Sequence, residues 1–212
     1  MEFSFPKQFF VTGTDTEVGK TVVCAMLTLG LRGVYWKPVQ SGTEVGSDRA
    51  WVQQVSGLGA EHFRPEAYAL GPPLSPHAAA ALEGVRLELE RFVLPVVAAG
   101  THLIVEGAGG VLVPLNEEDT MLDLMAHLGL PVLIVARSTL GTINHTLLSL
   151  AALRGRGLEI LGVVLNGPSN AGNREAIEHF GRTRVVAQLE PLATLGPESL
   201  ALAYAKLFGR HR

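Results

Sequence analysis

Residues 13–21 read Gly13-Thr14-Asp15-Thr16-Glu17-Val18-Gly19-Lys20-Thr21 and decide the fold. They follow an apolar, strand-like run at residues 8–11 and open an apolar run of helical character. A tight turn between a strand and a helix presents backbone N–H groups and the positive end of the helix dipole to phosphate oxygens. The usual loop has its first glycine where this chain has Thr14, so the pattern indicates a variant phosphate loop. The alternative is an ordinary glycine-containing turn with a surface lysine.

The composition is that of a compact α/β protein. The chain has 212 residues, of which 47% are hydrophobic and 17% charged, which suffices for one substantial core. A net charge of −3 without a dense basic run argues against nucleic acid or an anionic membrane as the main partner. There is no signal-peptide pattern and no apolar run of the roughly 18 residues that span a bilayer. From this length and composition we expect one domain over residues 1–212. Cys24 is the single cysteine, so no internal disulfide can form, and we expect the protein in the reducing cytoplasm.

Short apolar or β-branched runs alternate with longer helical stretches, which is typical of a doubly wound, mainly parallel β-sheet with helices on both faces. We predict strands at residues 8–12, 33–39, 102–106, 131–136, 160–166 and 184–189. We predict helices at residues 19–31, 48–57, 77–83, 87–99, 120–129, 141–155, 171–181 and 197–208. Ligands of such sheets bind beyond the carboxyl ends of the strands, so motifs at those ends are candidates for a binding site.

A second motif, Lys37-Pro38-Val39-Gln40-Ser41-Gly42, ends the predicted second strand. A lysine there can face the same cleft as the phosphate loop and neutralise charge during phosphoryl transfer. Asp48 follows at a predicted helix start. It has two interpretations, as the N-cap of that helix or as a carboxylate ligand of Mg²⁺.

A third motif, His102-Leu103-Ile104-Val105-Glu106-Gly107-Ala108-Gly109-Gly110, is an apolar strand that ends in a carboxylate and a glycine-rich turn. In phosphate-loop proteins the acidic residue that organises Mg²⁺ comes from the end of a neighbouring strand, usually as Asp, and Glu106 fits that place. The glycines allow the backbone to approach a ligand closely, although they also suit any tight exit from a strand.

Together the three motifs closely resemble those of dethiobiotin synthetases, and the displaced glycine of the loop is itself a trait of that family. Residues 73–78, Pro-Leu-Ser-Pro-His-Ala, are similar to the family's substrate-side loop. Residues 140–145, Leu-Gly-Thr-Ile-Asn-His, are similar to the turn and helix start after a later strand. The resemblance covers residues 8–192 and implies a P-loop NTPase fold; the helix predicted at residues 197–208 lies beyond it.

The resemblance implies an ATP- and Mg²⁺-dependent ring closure. In that reaction 7,8-diaminononanoate takes up CO₂ as a carbamate, the carbamate is phosphorylated, and the second amine displaces phosphate to form dethiobiotin. A carbamate approaching a γ-phosphate brings two anions together, so the site needs concentrated positive charge. The implied catalytic set is Lys20 on the phosphates, Lys37 on the carbamate, and Thr16 and Ser41 at the reacting centre.

The same resemblance assigns a metal site and a nucleotide site. Thr21, Asp48 and Glu106 would organise Mg²⁺. The nucleotide would contact the phosphate loop, the turn after Glu106 and two later strand ends, through Thr16, Glu17, Val18, Gly19, Lys20, Thr21, Val22, Asp48, Glu106, Gly107, Ala108, Gly109, Asn166, Gly167, Leu189 and Glu190.

Two of these nucleotide contacts leave alternatives open. Asn166 corresponds by resemblance to a residue that recognises adenine, because a carboxamide can pair with the donor and acceptor edge of the base. Its other interpretation is a turn residue before Gly167 and Pro168. At Leu189 and Glu190 the chain departs from the family's usual Leu-Pro, so nucleoside contacts there stay open.

The diamine carries a carboxylate on a long apolar tail, and a helix start offers backbone N–H groups suited to capture it. In the family the partner subunit of a homodimer holds this end of the substrate. That resemblance places Gly141, Thr142, Ile143 and Asn144 across the interface. Within one chain, the implied substrate contacts are Lys37, Ser41, Pro73 and Ser75.

Two other functions are alternatives. Partitioning and division-site ATPases share the outline of the loop and use nucleotide to switch dimerisation, but they normally carry an extra lysine where this chain has Thr-Asp-Thr at residues 14–16. Amidoligases of the cobyrinate type share the fold but need an ammonia source, often a glutaminase domain with a nucleophilic cysteine. Cys24 instead lies on the predicted helix of the phosphate loop.

Overall fold

The chain alternates strands and helices in the computed structural model, which describes residues 3–209. The strands of this range are β1 (Gln8–Gly13), β2 (Val34–Trp36), β3 (Val39–Ser41), β4 (Phe63–Arg64), β5 (Tyr68–Leu70), β6 (Leu103–Gly110), β7 (Val132–Arg137), β8 (Ile160–Asn166) and β9 (Val185–Leu189). Its α-helices are α1 (Lys20–Leu31), α2 (Asp48–Ser56), α3 (Pro76–Leu82), α4 (Met121–Leu128), α5 (Thr142–Gly155), α6 (Ala171–Gly181) and α7 (Pro197–Phe208).

The main sheet has seven parallel strands in the order β4-β2-β6-β1-β7-β8-β9. Strands β3 and β5 pair in parallel as a separate sheet. From β1 the chain crosses to β2 on one side, and from β6 it crosses to β7 on the other. The connecting helices α1 and α4 pack on opposite faces. The carboxyl ends of β1 and β6 therefore form a topological switch point, where ligands of open α/β sheets bind.

Two apolar cores cover the two faces of the main sheet. Side chains alternate along a strand, so the neighbouring Phe9 and Phe10 of β1 enter different cores, and both are fully buried. The core of Phe10 receives α3, α4, α5 and α6, whereas that of Phe9 receives α1, α2 and α7. This arrangement confirms the predicted doubly wound fold. Within residues 3–209 no helix has the length and apolar character to cross a membrane.

One predicted strand, at residues 33–39, is wrong in its second half. Strand β2 ends at Trp36, and Val39 begins β3 in the other sheet. Pro38 lies between them and has no N–H to donate to a strand ladder. The break frees Lys37 from regular pairing at the carboxyl edge of the main sheet.

The helix predicted at residues 87–99 is also wrong. Only a single 3₁₀ turn, Leu89–Arg91, forms there. Leu87 and Phe92 are buried five positions apart, which is not a helical face, and Pro95 removes a backbone donor. Strands β4 and β5 were not predicted, because two or three residues are too few to show a period.

The other predicted helices and strands are confirmed with ends shifted by at most one residue, except that β6 continues to Gly110.

Candidate active site

The phosphate loop joins β1 to α1 at the switch point. Gly19, just before α1, has a φ of 92°, and Glu17 has a φ of 55°, so the loop turns through two left-handed residues. Among residues 3–209, no side chain caps the start of α1, and its first turn carries no acidic residue. The N–H groups of this helix start are therefore available to an anion.

Lys20, the first residue of α1, folds its side chain back over the loop. Its Nζ donates a hydrogen bond to the carbonyl oxygen of Asp15 at 2.9 Å, and only 7% of the residue is exposed. Burial lowers the pKa of Lys20, although the negative charge of Glu106 opposes that shift. A buried ammonium has lost most of its hydrating water, so a neighbouring anion stabilises its charged form. Lys20 is therefore suited to bind phosphate oxygens.

Glu106 is the centre of a buried hydrogen-bond network. It lies within β6 and has no exposed surface. Its Oε1 accepts from the hydroxyl of Thr21 at 2.8 Å and from Nζ of Lys37 at 3.2 Å. Its Oε2 accepts from the hydroxyl of Tyr35 at 2.9 Å. The network joins the phosphate loop to the two strands that flank it on one side.

Lys37 lies between two carboxylates. Its Nζ contacts Oδ2 of Asp48 as well as Oε1 of Glu106. Burial alone would lower the pKa of Lys37, but the charges and hydrogen bonds of Glu106 and Asp48 outweigh it and raise this pKa above the ordinary lysine value. Lys37 is therefore a permanent cation at neutral pH and not a proton acceptor.

The structure settles the N-cap of α2. Ser47 is the N-cap, with its side chain accepting from the N–H of Ala50 at 3.2 Å, and Asp48 is the first helical residue. The N–H of Asp48 donates to Oε1 of Gln40 at 3.0 Å, which ties α2 to β3. The interpretation of Asp48 as the cap is therefore wrong, and its carboxylate is left to pair with Lys37.

A cleft of about 780 Å³ opens beside the phosphate loop. It brings together candidate residues from four separate parts of the sequence: Thr16, Ser41, Asp48, Pro73, Ser75, Ala108 and Gly109. A recess of about 300 Å³ lies next to it and is lined by Glu17, Gly19, Lys20, Thr21, Val22, Asp48 and Trp51. Asp48 lines both spaces. Gly107 lines neither, because it packs closely on Phe10 and Met121.

The ends of β8 and β9 adjoin the loop from the other side. Nδ2 of Asn166 donates to the carbonyl oxygen of Val18 at 3.0 Å, and Asn166 packs against Gly19. The N–H of Gly167 donates to the carbonyl oxygen of Leu189 at 2.8 Å. Leu189 and Glu190 line a separate groove of about 290 Å³ against α7, where Glu190 pairs with Lys206 at 3.3 Å.

The helix start at residues 141–144 does not reach the 780 Å³ cleft of its own chain. Gly141 precedes α5 with a φ of 92°, and within the described residues no side chain caps this helix start. Leu140 beside it is fully exposed, whereas Thr142 is buried. One chain by itself therefore does not join this predicted substrate contact to the cleft.

Sequence reasoning missed three residues of the site. Arg137 ends β7 and contacts Oδ2 of Asp15 through Nη2 at 2.5 Å. The N–H of Thr16 and the charge of Arg137 lower the pKa of Asp15 against the opposing effect of burial. Gln40 and Tyr35 were also missed. The sequence could have indicated Arg137, because an arginine at the carboxyl end of a strand is a candidate for a binding site. It could not have indicated Tyr35, because a tyrosine inside an apolar strand is indistinguishable from a core residue.

The donor set fits Mg²⁺ of the phosphate-loop type. Mg²⁺ prefers oxygen ligands and in such sites takes one hydroxyl, one or two carboxylates and oxygens from phosphate and water. Thr21, Glu106 and Asp48 supply those groups within one connected network. Among residues 3–209, no cluster of three or more His, Cys, Asp or Glu side chains forms a metal site by itself, so a metal here would depend on the phosphates.

An uncapped loop at the switch point, with two lysines and two carboxylates around it, defines a phosphate-loop nucleotide-binding protein. The fold is similar to that of a ParA family ATPase from Chlorobium tepidum, with a TM-score of 0.55 and 11% identity, covering 96% of this chain and 91% of that one. Identity this low shows the fold alone.

Sequence comparison identifies the family. The AAA domain family matches residues 7–199. The ATP-dependent dethiobiotin synthetase BioD of Paramagnetospirillum magneticum is 50% identical over 91% of this chain and 92% of its own length. The biotin biosynthesis bifunctional protein BioCD of Bordetella avium is 50% identical over 93% of this chain, which spans 42% of that longer protein. The chain belongs to the ATP-dependent dethiobiotin synthetase family, as the three motifs predicted.

Proposed function

We propose that this chain is the ligase that closes the ureido ring of dethiobiotin, using 7,8-diaminononanoate, CO₂ and ATP and releasing ADP and phosphate. The supporting observation is the junction of Thr21, Lys37 and Glu106, which the contact of Lys37 with Asp48 connects to the substrate-sized cleft. This junction links the nucleotide side of the site to the side where an organic substrate fits. Relatives that are 45–50% identical over 92–96% of their own length carry the same activity in their names.

The reaction has three bond-forming steps. One amine adds to CO₂ and loses a proton, which forms the carbamate. A carbamate oxygen attacks the γ-phosphorus as the bond to ADP breaks. The second amine attacks the carbonyl carbon, loses its proton and expels phosphate. Each step either brings groups of like charge together or depends on a poor nucleophile. Positioning of the substrates and neutralisation of charge therefore contribute most of the catalysis.

The phosphate loop holds the triphosphate. The N–H groups at the start of α1 bind phosphate oxygens, and Lys20 turns from the carbonyl of Asp15 toward them. Thr21, Asp48 and Glu106 would hold Mg²⁺, which would supply positive charge at the phosphates. Metal binding would be coupled to Lys37, because the same two carboxylates pair with that ammonium.

Lys37 serves the carbamate and its phosphorylated form. Its raised pKa keeps it charged, so it stabilises an oxyanion and does not deprotonate an amine. Thr16 and Ser41 line the cleft on either side of the reacting centre and donate hydrogen bonds to the substrate. Pro73 and Ser75 bound the cleft toward the tail of the diamine.

Two further contacts complete the site. Asn166 recognises adenine through the carboxamide atoms that are not bonded to Val18. Gly167, which is bonded to Leu189 at the adjoining strand end, borders the nucleoside together with Leu189 and Glu190. A second copy of the chain holds the tail carboxylate at its α5 start, through the N–H groups of residues 141–144. The homodimer accounts for the separation between this helix start and the cleft within one chain.

Phosphate release tests the function. Purified protein is given Mg·ATP with and without 7,8-diaminononanoate and bicarbonate, while the mass of dethiobiotin is followed in the same tube. Release that requires both substrates and equals dethiobiotin formation is expected. Slow release that ignores the diamine, without a dethiobiotin mass, would instead support the nucleotide-switch alternative.

A further inference from the structure

We propose that Tyr35 is a positioning residue that holds one oxygen of Glu106, so that only the other oxygen, Oε1, faces the phosphate loop and its metal. The inference rests on the proposed metal role of Glu106. It adds a residue from the middle of β2 that does not line the cleft or the recess.

Tyr35 is a buried residue whose hydroxyl makes a hydrogen bond to Glu106. The residue is fully buried in the core beneath α1, and its ring packs edge-on against Phe63 with centroids 6.2 Å apart. The hydroxyl donates a hydrogen bond to Oε2 of Glu106 at 2.9 Å, although the two residues are 71 positions apart in the sequence. A buried tyrosine hydroxyl requires a partner, and this carboxylate supplies it.

The two oxygens of Glu106 have different surroundings. Oε1 accepts from Thr21 at 2.8 Å and from Lys37 at 3.2 Å, and both donors belong to the proposed reaction site. Oε2 has the hydroxyl of Tyr35 as its partner. A carboxylate has no proton to donate, so the hydroxyl of Tyr35 is the donor in this hydrogen bond. The carboxylate is thereby held in one rotational state.

A ligand held by an outer hydrogen bond binds its metal more tightly than a free one, and losing such a partner typically weakens metal affinity 10- to 100-fold. The change Tyr35→Phe removes the hydroxyl, keeps the ring and leaves every residue of the cleft in place. We therefore expect about tenfold weaker metal binding, with the maximal turnover regained at high Mg²⁺ concentration.

The test measures Mn²⁺ binding to the ADP complex, by the electron paramagnetic resonance signal of free Mn²⁺. Tyr68→Phe is the matched control, because Tyr68 is also a buried residue and its hydroxyl also makes a hydrogen bond, in which it accepts from the N–H of Glu88 at 3.0 Å. Wild type and Tyr68→Phe should bind Mn²⁺ equally, and Tyr35→Phe about tenfold more weakly. ADP affinity without metal should be the same in all three.

A second pair of variants separates this inference from the metal assignment itself. Glu106→Gln should weaken Mn²⁺ binding, and adding Tyr35→Phe to it should cause no further loss. Unchanged Mn²⁺ affinity in Tyr35→Phe, together with a weakened Glu106→Gln, would overturn the role of Tyr35 and leave the metal role of Glu106 intact. Unchanged affinity in Glu106→Gln would overturn both. A further loss on adding Tyr35→Phe to Glu106→Gln would show that Tyr35 acts other than through Glu106 and would overturn the inference.

Discussion

The chemistry of this site depends on a few buried charges that neutralise one another. Lys37 is only 5% exposed and Glu106 is not exposed at all, and each is tolerated because the other is present. A buried pair is weak evidence for net stabilisation, but breaking one is costly, because it leaves an uncompensated charge. The raised pKa of Lys37 has the same origin. Its stabilising effect is complete below the ordinary lysine pKa and is lost only as the pH rises through the still higher pKa of the folded state.

The variant Lys37→Met should therefore lose stability as well as turnover. Removing the ammonium leaves Glu106 buried without its counter-charge, and we expect the free energy of unfolding to fall by about 3 kcal/mol. A change of this size lowers Tm by roughly 6–12 °C in a chain of this length. Thermal unfolding without metal measures it, and ADP binding should persist.

The double variant Lys37→Met/Glu106→Gln is the control. It removes both charges, so Tm should return toward that of the wild type. A single variant as stable as the wild type would contradict the mutual dependence of these two residues, and one that retained turnover would contradict the role of Lys37 at the carbamate.

Among the elements, the short loop between β1 and α1 is the most constrained. Gly13 has no room for a side chain, since a Cβ there would lie 2.7 Å from the Asp15 carbonyl oxygen and 2.9 Å from Nζ of Lys20. Gly19 has a left-handed backbone, and a Cβ would lie 2.0 Å from Nδ2 of Asn166. The first glycine is therefore explained by close packing and the second by both packing and conformation.

We expect Gly19→Ala to weaken ADP binding at least tenfold. A left-handed alanine costs about 1–2 kcal/mol before any clash with Asn166, and a loop that relaxes to avoid this cost no longer presents its N–H groups together. Calorimetric titration with ADP measures the loss. Gly129→Ala is a matched control, because Gly129 is also left-handed, with φ of 63°, but has open space around its Cβ position. That variant should lose stability while ADP affinity is unchanged; equal losses of affinity would contradict the explanation.

Helix α4 offers a prediction on pH. Oδ2 of Asp123 accepts from the N–H of Thr120 at 2.9 Å and from its hydroxyl at 2.7 Å, and Oδ1 pairs with Arg156 at 3.0 Å. Burial would raise the pKa of Asp123, but these bonds and the arginine outweigh it and lower this pKa. The stabilisation is therefore present above the ordinary aspartate pKa and is lost as the pH falls through the lower folded-state value.

Asp123→Asn should accordingly lower the free energy of unfolding by about 1–2 kcal/mol at neutral pH. The difference from the wild type should shrink below the ordinary aspartate pKa, as the wild-type carboxylate becomes protonated. Urea unfolding over a pH series measures both effects. Glu117→Gln, at a side chain that is 78% exposed, should change nothing. A difference for Asp123→Asn that stays constant down to low pH would show that the charge of this carboxylate is not the source of the stabilisation.

The whole molecule carries an apolar surface beside the phosphate loop. Leu112 and Leu148 are each 62% exposed, and they line a recess of about 500 Å³ together with residues 14–16 of the loop. The fully exposed Leu140 lies just before α5, the helix that carries Leu148. Exposed apolar patches of this kind mark contact surfaces, and this one lies where the proposed homodimer would bring α5 of one copy toward the cleft of the other.

The variant Leu148→Glu should make the protein monomeric and reduce turnover, since a charge in an apolar interface is desolvated without a partner. Light scattering after size exclusion measures the mass, and saturation with 7,8-diaminononanoate measures the effect on substrate affinity. Val96→Glu is the control, because Val96 is 91% exposed and does not line the recess that contains Leu148. A wild-type chain that runs as a monomer, or a dimer unaffected by Leu148→Glu, would contradict this interface.

Local sequence patterns were sufficient for the parallel sheet, the phosphate loop and the position of Lys37 at the end of β2, because alternation, helical period and turn residues act between neighbours along the chain. They placed Glu106 at the end of its strand, whereas it lies within β6, which continues to Gly110. They failed at residues 87–99 and at the break after Trp36, where a proline and distant packing partners override the local pattern. Only the folded chain decided which oxygen of Glu106 meets Thr21, 85 residues away, and which meets Tyr35, and that Ser47 rather than Asp48 caps α2. Such contacts depend on how the strands of the sheet are ordered, and a buried polar group takes whichever partner that order brings within hydrogen-bond distance.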